Sequence, residues 1–376
     1  MKRFRRTAVA IAGAALVVAP ATAAQAGDRG HGSSGDDTVT TVATGLDGPR
    51  QLNGYRGHRV VVAESDSGEV SAVSRRTGEV QTLLTGLVSP QGVDFDRNRL
   101  FVATGEPAPP PEDAGPGAEA PPAPEGATSL VVADPGGEVL EVIDLLAHEL
   151  AENPDGQVQF DDTGAPVETL SNPYAVLAQP RRVLVADAGA NAVLSVDRRT
   201  GDVSTFFVPP VVTDVPGCAE APNNPGTVGC DPVPTGITEG PWGLVYVSTL
   251  GAEVPGAGRV YVLSPHGHVV HVIDDLTAPT GLAVDRRGTV YVSNVAEGFP
   301  EGEPGPDLDP STVGEVTRIA WHGERSTAQV TMPTGLLVDG GELYASAWSV
   351  AAFLGMPAGS GELVRVGEGA FTPSGG

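Results

Sequence analysis

Six prolines open repeated segments of the chain, and the residue after each proline carries a polar or aromatic side chain. In chain order these second residues are Arg50, Gln91, Tyr174, Thr235, Thr280 and Thr334. A guanidinium among hydroxyl and amide groups suits a small polar, aromatic or anionic ligand. Trp348 adds an aromatic surface at the last segment. The alternative is that these side chains cap strand ends and hold water.

A second set of oxygen-bearing side chains follows further along the same segments, namely Glu64, Asp187, Asn191 and Asn294. Calcium takes about six to eight oxygen ligands from carboxylates, amides and carbonyls. These residues therefore predict a calcium site as an alternative to an organic ligand, and Ca²⁺ is the one cofactor that the sequence suggests. Acidic residues are common throughout the chain, so the same residues also fit an ordinary solvated surface.

Other catalytic chemistries have little support. The only lysine is Lys2, which lies in a segment that is predicted to be removed, and this excludes Schiff-base and phosphate-loop lysines. The chain has no Gly-x-Ser-x-Gly sequence. Of its seven histidines only His148 falls in a long connection on the side of the predicted site. A serine hydrolase is therefore disfavoured.

The chain is acidic, with 22 basic and 47 acidic residues and a net charge of −25. This balance argues against nucleic acid as a partner, because phosphate binding needs Lys and Arg. A basic start, an apolar run and the small residues Ala24-Gln25-Ala26 predict a secretory signal peptide over residues 1–26. The apolar run is too short to span a bilayer. Cleavage removes four basic residues and no acid, which leaves −29, and residues 27–37 are expected to be a disordered leader.

Export makes the two cysteines informative. Cys218 and Cys230 lie in a loop rich in Pro, Asn and Gly, with eleven residues between them. An oxidising compartment favours a local disulfide between them, whereas a zinc site lacks further His or Cys ligands nearby. We expect the bond to staple a surface loop.

The polar residues are positioned by a repeat made of β-strands. Its clearest copy runs Pro279-Thr-Gly-Leu-Ala-Val-Asp285, then a turn, then Thr289-Val-Tyr-Val-Ser-Asn294. Each of six copies leads into strands with period-two alternation, which is the signature of propeller blades. We therefore predict an all-β, six-bladed β-propeller over residues 38–366, followed by a C-terminal tail at 367–376.

The two ends of the repeat array complement each other. The last copy supplies only three strands, at 333–339, 341–347 and 360–366, whereas an extra strand at 38–44 precedes the first copy. We predict that the N-terminal strand completes the last blade and closes the ring, because this removes exposed sheet edges.

All long insertions are predicted to emerge on one face of the propeller, which we call the loop-bearing face. Residues 106–126 and 296–312 follow the second strands of blades two and five, and residues 144–170 and 207–233 connect blades. Loops on one face of a rigid scaffold commonly carry function. Ten acidic residues lie in the first two insertions, which predicts an acidic fringe around a neutral channel mouth.

The blade shape and the Pro-x-Gly starts resemble the six-bladed lactonase group of senescence-marker and gluconolactonase propellers. That resemblance implies a divalent ion held in the channel by a Glu, two Asn-type ligands and an Asp at blade starts. The matching positions here are Arg50, Gln91, Tyr174 and the threonines, none of which is a carboxylate. This departure makes a calcium-dependent lactonase or esterase-like hydrolase the second hypothesis.

The sequence also resembles the ScyD/ScyE family of secreted propellers. The likeness rests on Asn172-Pro-Tyr174, on the following stretch that includes Asp187 and Asn191, and on Glu152-Asn-Pro-Asp-Gly156. It covers most of residues 38–366 and is specific at 152–197. It implies a secreted propeller without a defined activity. We therefore expect a monomeric secreted binding or scaffold protein that recognises a small molecule, a glycan or an extracellular protein through its loop-bearing face.

Overall fold

Six antiparallel sheets surround a central axis in the computed structural model, which describes residues 38–107, 123–167, 169–300 and 308–373. This arrangement confirms the six-bladed β-propeller. The predicted signal peptide at 1–26 and leader at 27–37 lie outside the described residues, as do parts of the insertions at 106–126 and 296–312.

The strands follow the chain from the inside of each blade to its outside, except that the first strand, β1 (Val39–Leu46), belongs to the last blade. Blade one contains β2 Pro49–Tyr55, β3 Arg59–Glu64, β4 Glu69–Ser74 and β5 Val80–Leu84. Blade two contains β6 Pro90–Asp96, β7 Arg99–Thr104, β8 Ser129–Ala133 and β9 Val139–Asp144. The helix α1 Leu146–Glu152 follows, and blade three contains β10 Pro173–Ala178, β11 Arg182–Asp187, β12 Ala192–Asp197 and β13 Val203–Phe207.

The second half of the molecule repeats the same plan. Blade four contains β14 Pro234–Glu239, β15 Val245–Thr249, β16 Gly258–Leu263 and β17 Val269–Leu276. Blade five contains β18 Pro279–Val284, β19 Val290–Asn294, β20 Glu315–Ile319 and β21 Arg325–Gln329. Blade six contains β22 Leu336–Asp339, β23 Glu342–Ala347 and β24 Gly361–Val366. Short 3-10 turns lie at Pro241–Gly243, Gly251–Glu253, Pro310–Thr312, Ala351–Leu354 and Glu368–Ala370.

The ring closes as predicted. Strand β1 pairs antiparallel with β24 and becomes the fourth strand of blade six. Strand β22 begins at Leu336 rather than at 333, because the N–H groups of Thr334 and Gly335 donate to Ser346 Oγ at 3.2 and 2.7 Å instead of pairing with β23. The closing strand therefore comes from the N-terminus, and a side chain replaces part of the ladder at the start of the blade.

The C-terminal segment is part of the propeller rather than a free tail. Residues Thr372–Pro373 form a short strand, β25, that pairs with the outer strand β21 of blade five. The Phe371 ring lies 6.1 Å from the Tyr291 ring and packs against the core between blades five and six. The tail predicted at 367–376 therefore covers a sheet edge as far as residue 373.

The hydrophobic core is divided among the blade interfaces. One cluster of buried side chains fills each of the six gaps between neighbouring blades, as with Val260 of blade four against Leu282 and Val292 of blade five. The inner strands β2, β6, β10, β14, β18 and β22 contact one another in a closed ring. Both faces of the inner and middle strands are therefore apolar, which explains why the blades read as near-continuous Val and Ala runs.

Four of the six blades carry a glycine two residues after the opening proline, and this close contact requires it. A Cβ atom on Gly92 would lie 2.8 Å from the Cα of Ala175 in blade three, and one on Gly236 would lie 2.8 Å from the Thr280 carbonyl oxygen in blade five. Neighbouring inner strands pass too closely for a side chain at these positions.

The pairing register places both predicted sets of polar residues on the loop-bearing face. The start of each inner strand pairs with the end of the second strand, as in Pro49 with Glu64 and Pro279 with Asn294. The long connections leave the blades at the same end. In the described part of the chain no helix is long and apolar enough to cross a membrane.

Candidate functional site

Three of the predicted ligand-binding residues join neighbouring blades. Thr235 Oγ1 donates to the Pro279 carbonyl at 2.8 Å, Thr280 Oγ1 to the Pro333 carbonyl at 3.2 Å, and Thr334 Oγ1 to the Pro49 carbonyl at 3.0 Å. In each case the acceptor is the opening proline of the next blade, and the threonine is buried. Because each hydroxyl proton is used in this way, the threonines of blades four to six serve as inter-blade latches.

Blades one to three carry larger side chains at the same position, and Arg50 is the most distinctive. Arg50 is 7% exposed. Its Nε donates to Ser65 Oγ at 2.9 Å, and one terminal nitrogen lies 3.8 Å from Asp66 Oδ1. These contacts leave part of the guanidinium fork without a carboxylate partner at hydrogen-bond distance. A charged donor held in a fixed position at a channel mouth suits an anionic or oxygen-rich group.

The phenol of Tyr174, which belongs to blade three, lies beside the Arg50 guanidinium of blade one. Burial raises the pKa of the Tyr174 hydroxyl, and the charge and hydrogen bonding of Arg50 oppose that rise. The carboxylate of Glu253, in a turn of blade four, adds to the rise. Two of the predicted site residues are thus brought together at the axis, where residues of three blades meet.

Gln91 of blade two contributes an amide to the same level. Its Nε2 donates to Ser89 Oγ at 2.8 Å, whereas its Oε1 is buried and has no hydrogen-bond partner among the described residues. A buried amide oxygen without a donor costs about 1–3 kcal/mol relative to a satisfied one. Gln91 is therefore suited to accept a hydrogen bond from a bound hydroxyl or water.

Trp348 extends the site toward the seam between blades six and one. It is half-buried and has a positive φ of 55°, and its backbone N–H donates to the Thr331 carbonyl. Together with Asp66 and Met356 it lines a cavity of about 190 Å³. Because Asp66 also lies next to Arg50, this cavity adjoins the Arg50 site.

A larger cavity of about 590 Å³ lies on the loop-bearing face beside blade four. Residues on both sides of the Cys218–Cys230 disulfide line it, and so does Ala252, next to the Glu253 that influences Tyr174. The disulfide confirms the predicted pairing, and its two cysteines are buried with Val212 and Ala257. The bond fixes one wall of this cavity.

Two of the four predicted calcium ligands are fully used by the protein itself. Asp187 is completely buried and accepts hydrogen bonds from Ser171 Oγ at 2.7 Å and from the N–H of Asn172 at 2.6 Å, with two weaker ones from the following turn. Asn191 donates to Asp155 and accepts from the Val233 N–H, which ties two long connections together. Burial raises the pKa of Asp187, and its hydrogen bonds oppose the rise.

The other two lie on separate blades. Glu64 of blade one accepts the Asp47 N–H with Oε2, and burial raises its pKa. Asn294 of blade five donates to Thr317 Oγ1 at 2.7 Å. Each retains one buried oxygen without a hydrogen-bond partner among the described residues, and over those same residues no cluster of three acidic, His or Cys side chains could hold a metal ion. The donor set therefore does not fit one shared calcium site.

The structure reveals a cross-blade contact that the sequence analysis missed. The Oε1 of Gln51 accepts the N–H groups of Val93 and Val176 at 3.0 and 2.9 Å, and its Nε2 donates to the Val176 carbonyl at 2.9 Å. One side chain of blade one thereby satisfies the free edges of blades two and three. The sequence feature that could have predicted this contact is the glutamine itself, which occupies a position where four other blades have glycine.

A buried carboxylate and a histidine lie apart from the Arg50 and Tyr174 site. Asp94, on the inner strand of blade two, accepts the Ala178 N–H at 2.7 Å, and burial raises its pKa to about 6. His148, on α1, has its Nε2 3.0 Å from Thr205 Oγ1 on the outer strand of blade three. Neither group has a role in the Arg50 and Tyr174 site.

Six four-stranded blades closed by a strand from the opposite terminus define the class of protein, a six-bladed β-propeller. No protein family model matches the chain, and no curated protein matches it. Among solved structures the neighbours include propellers of the SMP-30/gluconolactonase-like kind.

Two of those neighbours show how far the likeness reaches. A gluconolactonase from Xanthomonas campestris is 11% identical with a TM-score of 0.51, over 88% of this chain and 89% of that chain. The PQQ-bound aldose sugar dehydrogenase from Streptomyces coelicolor is 12% identical with a TM-score of 0.50, over 89% and 99%. Because one fold holds two different activities at this level of identity, the likeness shows the fold alone.

Proposed function

We propose that this protein is a secreted binding protein of the ScyD/ScyE type, which recognises a small molecule through its loop-bearing face. One observation carries the proposal: Arg50 and Tyr174 meet at the axis in blades that lack the threonine latch. A structural role would be served by threonine, as in the other three blades. The exchange for larger polar groups in blades one to three supports a binding role.

The chemistry of the site favours a ligand with a carboxylate and several hydroxyl groups. The guanidinium of Arg50 provides donors for a carboxylate, and the free amide oxygen of Gln91 can accept from a hydroxyl. A tyrosine hydroxyl is protonated at neutral pH and burial raises the pKa of Tyr174 further, so the hydroxyl can donate as well as accept. Sugar acids combine these features.

The test uses gluconate, with glucose and a panel of other sugar acids, in ligand-observed NMR and calorimetry. We expect carboxylated sugars to bind and glucose to bind at least about ten-fold more weakly, since one charged hydrogen bond is worth about 1.5–3 kcal/mol. The Arg50→Gln variant should lose the preference for the carboxylate. The matched control is Arg199→Gln, because Arg199 is exposed in a hairpin turn of the opposite face. Sugar-acid binding that survives Arg50→Gln would place the site elsewhere.

The second candidate is a calcium-dependent lactonase, and the fold likeness to a gluconolactonase is the observation that favours it. The four proposed ligands contribute few free oxygens, which is why it comes second. Hydrolysis of glucono-1,5-lactone with calcium or with EGTA tests it. Turnover that EGTA abolishes would support the enzyme, and turnover at the uncatalysed rate in both would support the binding protein.

Secretion is part of the proposal. The three-part N-terminal pattern supports export, and a disulfide is at home in an oxidising compartment. N-terminal sequencing of protein from the culture medium should begin at Gly27. A full-length chain retained in the cytosol would contradict it.

A further inference from the structure

Two tryptophans on the face opposite the channel mouth stand almost fully in solvent. Trp242 is 87% and Trp321 is 81% exposed, the highest values for large apolar side chains among the described residues. Trp242 lies in the turn between β14 and β15, and Trp321 lies in the turn between β20 and β21. Exposed aromatic side chains that share one depression are typical of a binding surface.

The turn that displays Trp242 is strained. The Leu244 N–H donates to the Pro241 carbonyl at 3.3 Å, and the two central residues, Trp242 and Gly243, have φ values of 62° and 73°. This is the type I′ hairpin turn, whose first central position strongly favours Asn, Asp or Gly. A tryptophan there is a genuine outlier, and such strain is concentrated at functional sites.

Both indoles line one groove of about 700 Å³ between blades four and five. Its apolar part includes Val270 and Val272 of strand β17, which are 60% and 37% exposed. Arg325 fixes the wall, because its guanidinium donates to the carbonyls of Asp274 and Asp275 at 2.6 and 2.8 Å and so ties blade five to blade four. The groove is therefore a built feature of the blade interface.

Charged and polar side chains alternate with the indoles around this groove. His271, Asp274, Arg287, His322 and Arg325 all line it. The two arginines outnumber the single aspartate, in a chain whose net charge is −25. A purely apolar surface of a partner would leave these charged groups without partners. They suit a ligand with an apolar face and hydroxyl groups at its edges.

We propose that this groove, which we call the tryptophan groove, is a second binding site that takes a pyranose chain of an extracellular polysaccharide. The axial C–H groups of a pyranose ring form an apolar, slightly positive face that packs on the negative face of an indole. Equatorial hydroxyls, and a carboxylate where the sugar is a uronate, reach Arg287 and Asp274. The site is independent of Arg50 and Tyr174, which lie on the other face.

The test measures binding of cellohexaose, chitohexaose and an oligogalacturonate by calorimetry and by tryptophan fluorescence, since the chain has only 3 tryptophans. Trp242→Ala and Trp321→Ala should each weaken binding of the preferred chain at least about ten-fold, as truncated tryptophan anchors do. Comparing cellohexaose with the oligogalacturonate distinguishes a neutral chain from an acidic one.

Two controls separate binding from folding. Phe353→Ala removes another exposed aromatic, 68% exposed on the loop-bearing face, and should leave binding unchanged. Trp242→Gly should abolish binding without lowering the unfolding midpoint, because glycine accepts the positive φ. A loss of stability in Trp242→Gly would mean that the indole has a structural role, and this would overturn the proposal.

Other outcomes also overturn it. One is that none of the three oligosaccharides binds. Another is that the double Trp242→Ala, Trp321→Ala variant still binds cellohexaose or chitohexaose, or still binds the oligogalacturonate when Arg50→Gln is added. Light scattering after size exclusion gives the oligomeric state, and a dimer that Trp321→Ala dissociates would show that a second copy of the chain occupies the groove. Arg50→Gln should leave binding of the neutral chains cellohexaose and chitohexaose intact, so failure of the sugar-acid site does not affect this result.

Discussion

The threonine latches between blades can be tested one hydroxyl at a time. Thr334→Val keeps the shape of the side chain but removes the donor to the Pro49 carbonyl, 3.0 Å away, and the contact with Ser346 Oγ at 3.1 Å. Thr334 is 3% exposed, so water cannot replace these contacts. Leaving a buried acceptor unsatisfied costs about 1–3 kcal/mol. We expect Thr334→Val to lie toward the upper end of that range.

Thr235 makes the corresponding bond to the Pro279 carbonyl alone, at 2.8 Å. We therefore expect Thr235→Val to cost about 1 kcal/mol, at the lower end of the same range. Thr→Ser at either site keeps the hydroxyl and loses one methyl group, which isolates the hydrogen bond from packing. Thr44→Val is the matched control, because Thr44 is an exposed strand residue whose change should be within about 0.5 kcal/mol.

Urea unfolding followed by circular dichroism gives the free energy of unfolding from the midpoint at constant m-value. We expect the free energy of unfolding of Thr334→Val to lie below that of Thr235→Val, and that of Thr44→Val to equal the wild-type value. If Thr334→Val unfolds at the wild-type midpoint, the hydroxyl is not a latch. The hydroxyl of Thr334 would then be free to contact a ligand.

Three further perturbations act on separate features. Asp94→Asn removes a group whose pKa is raised from 3.8 to about 6 in the folded state. The stabilising effect of protonated Asp94 is full below the unfolded pKa of 3.8 and is lost as the pH rises through 6, so the variant should gain about 3 kcal/mol on the wild type between about pH 3 and pH 7 in urea unfolding. A difference that stays constant with pH would refute this. Reduction of the Cys218–Cys230 bond, whose cysteines are 12 positions apart, should lower the free energy of unfolding by at most about 3 kcal/mol and speed amide exchange around the 590 Å³ cavity. Unchanged exchange would show that the loop does not depend on the bond. Gly236→Ala should lower the free energy of unfolding by about 1–3 kcal/mol because its Cβ would meet the Thr280 carbonyl. Gly54→Ala is the control, because a Cβ there meets no atom within 4 Å, and equal urea midpoints for the two variants would refute the tight contact.

The fold was predictable from the sequence because its evidence is repeated. Each blade repeats the opening proline and the alternating strands, and four of the six complete a Pro-x-Gly start. The missing fourth strand of blade six matches the surplus strand at 38–44. The local disulfide followed from spacing and export. The pairing of Thr372–Pro373 with blade five was not predictable, since two residues without a repeat partner carry no pattern.

The site was only partly predictable, because hydrogen-bond partners lie on other blades. The sequence puts Thr280 and Arg50 at equivalent positions, and only the structure shows that the threonine hydroxyl is used by Pro333. Asp187 looks like a metal ligand in the sequence, yet the Ser171 hydroxyl, the Asn172 N–H and the N–H groups of its own turn occupy it. Gln51 was overlooked because its importance depends on two strands that are distant in the chain.

We propose that Arg50 and Tyr174 form a binding site for a small anionic molecule at the channel mouth. Calorimetry of gluconate with the wild type, Arg50→Gln and Arg199→Gln tests it most directly. We expect gluconate to bind the wild type and Arg199→Gln, and its affinity to fall at least about ten-fold in Arg50→Gln. Equal affinity in all three proteins would contradict it.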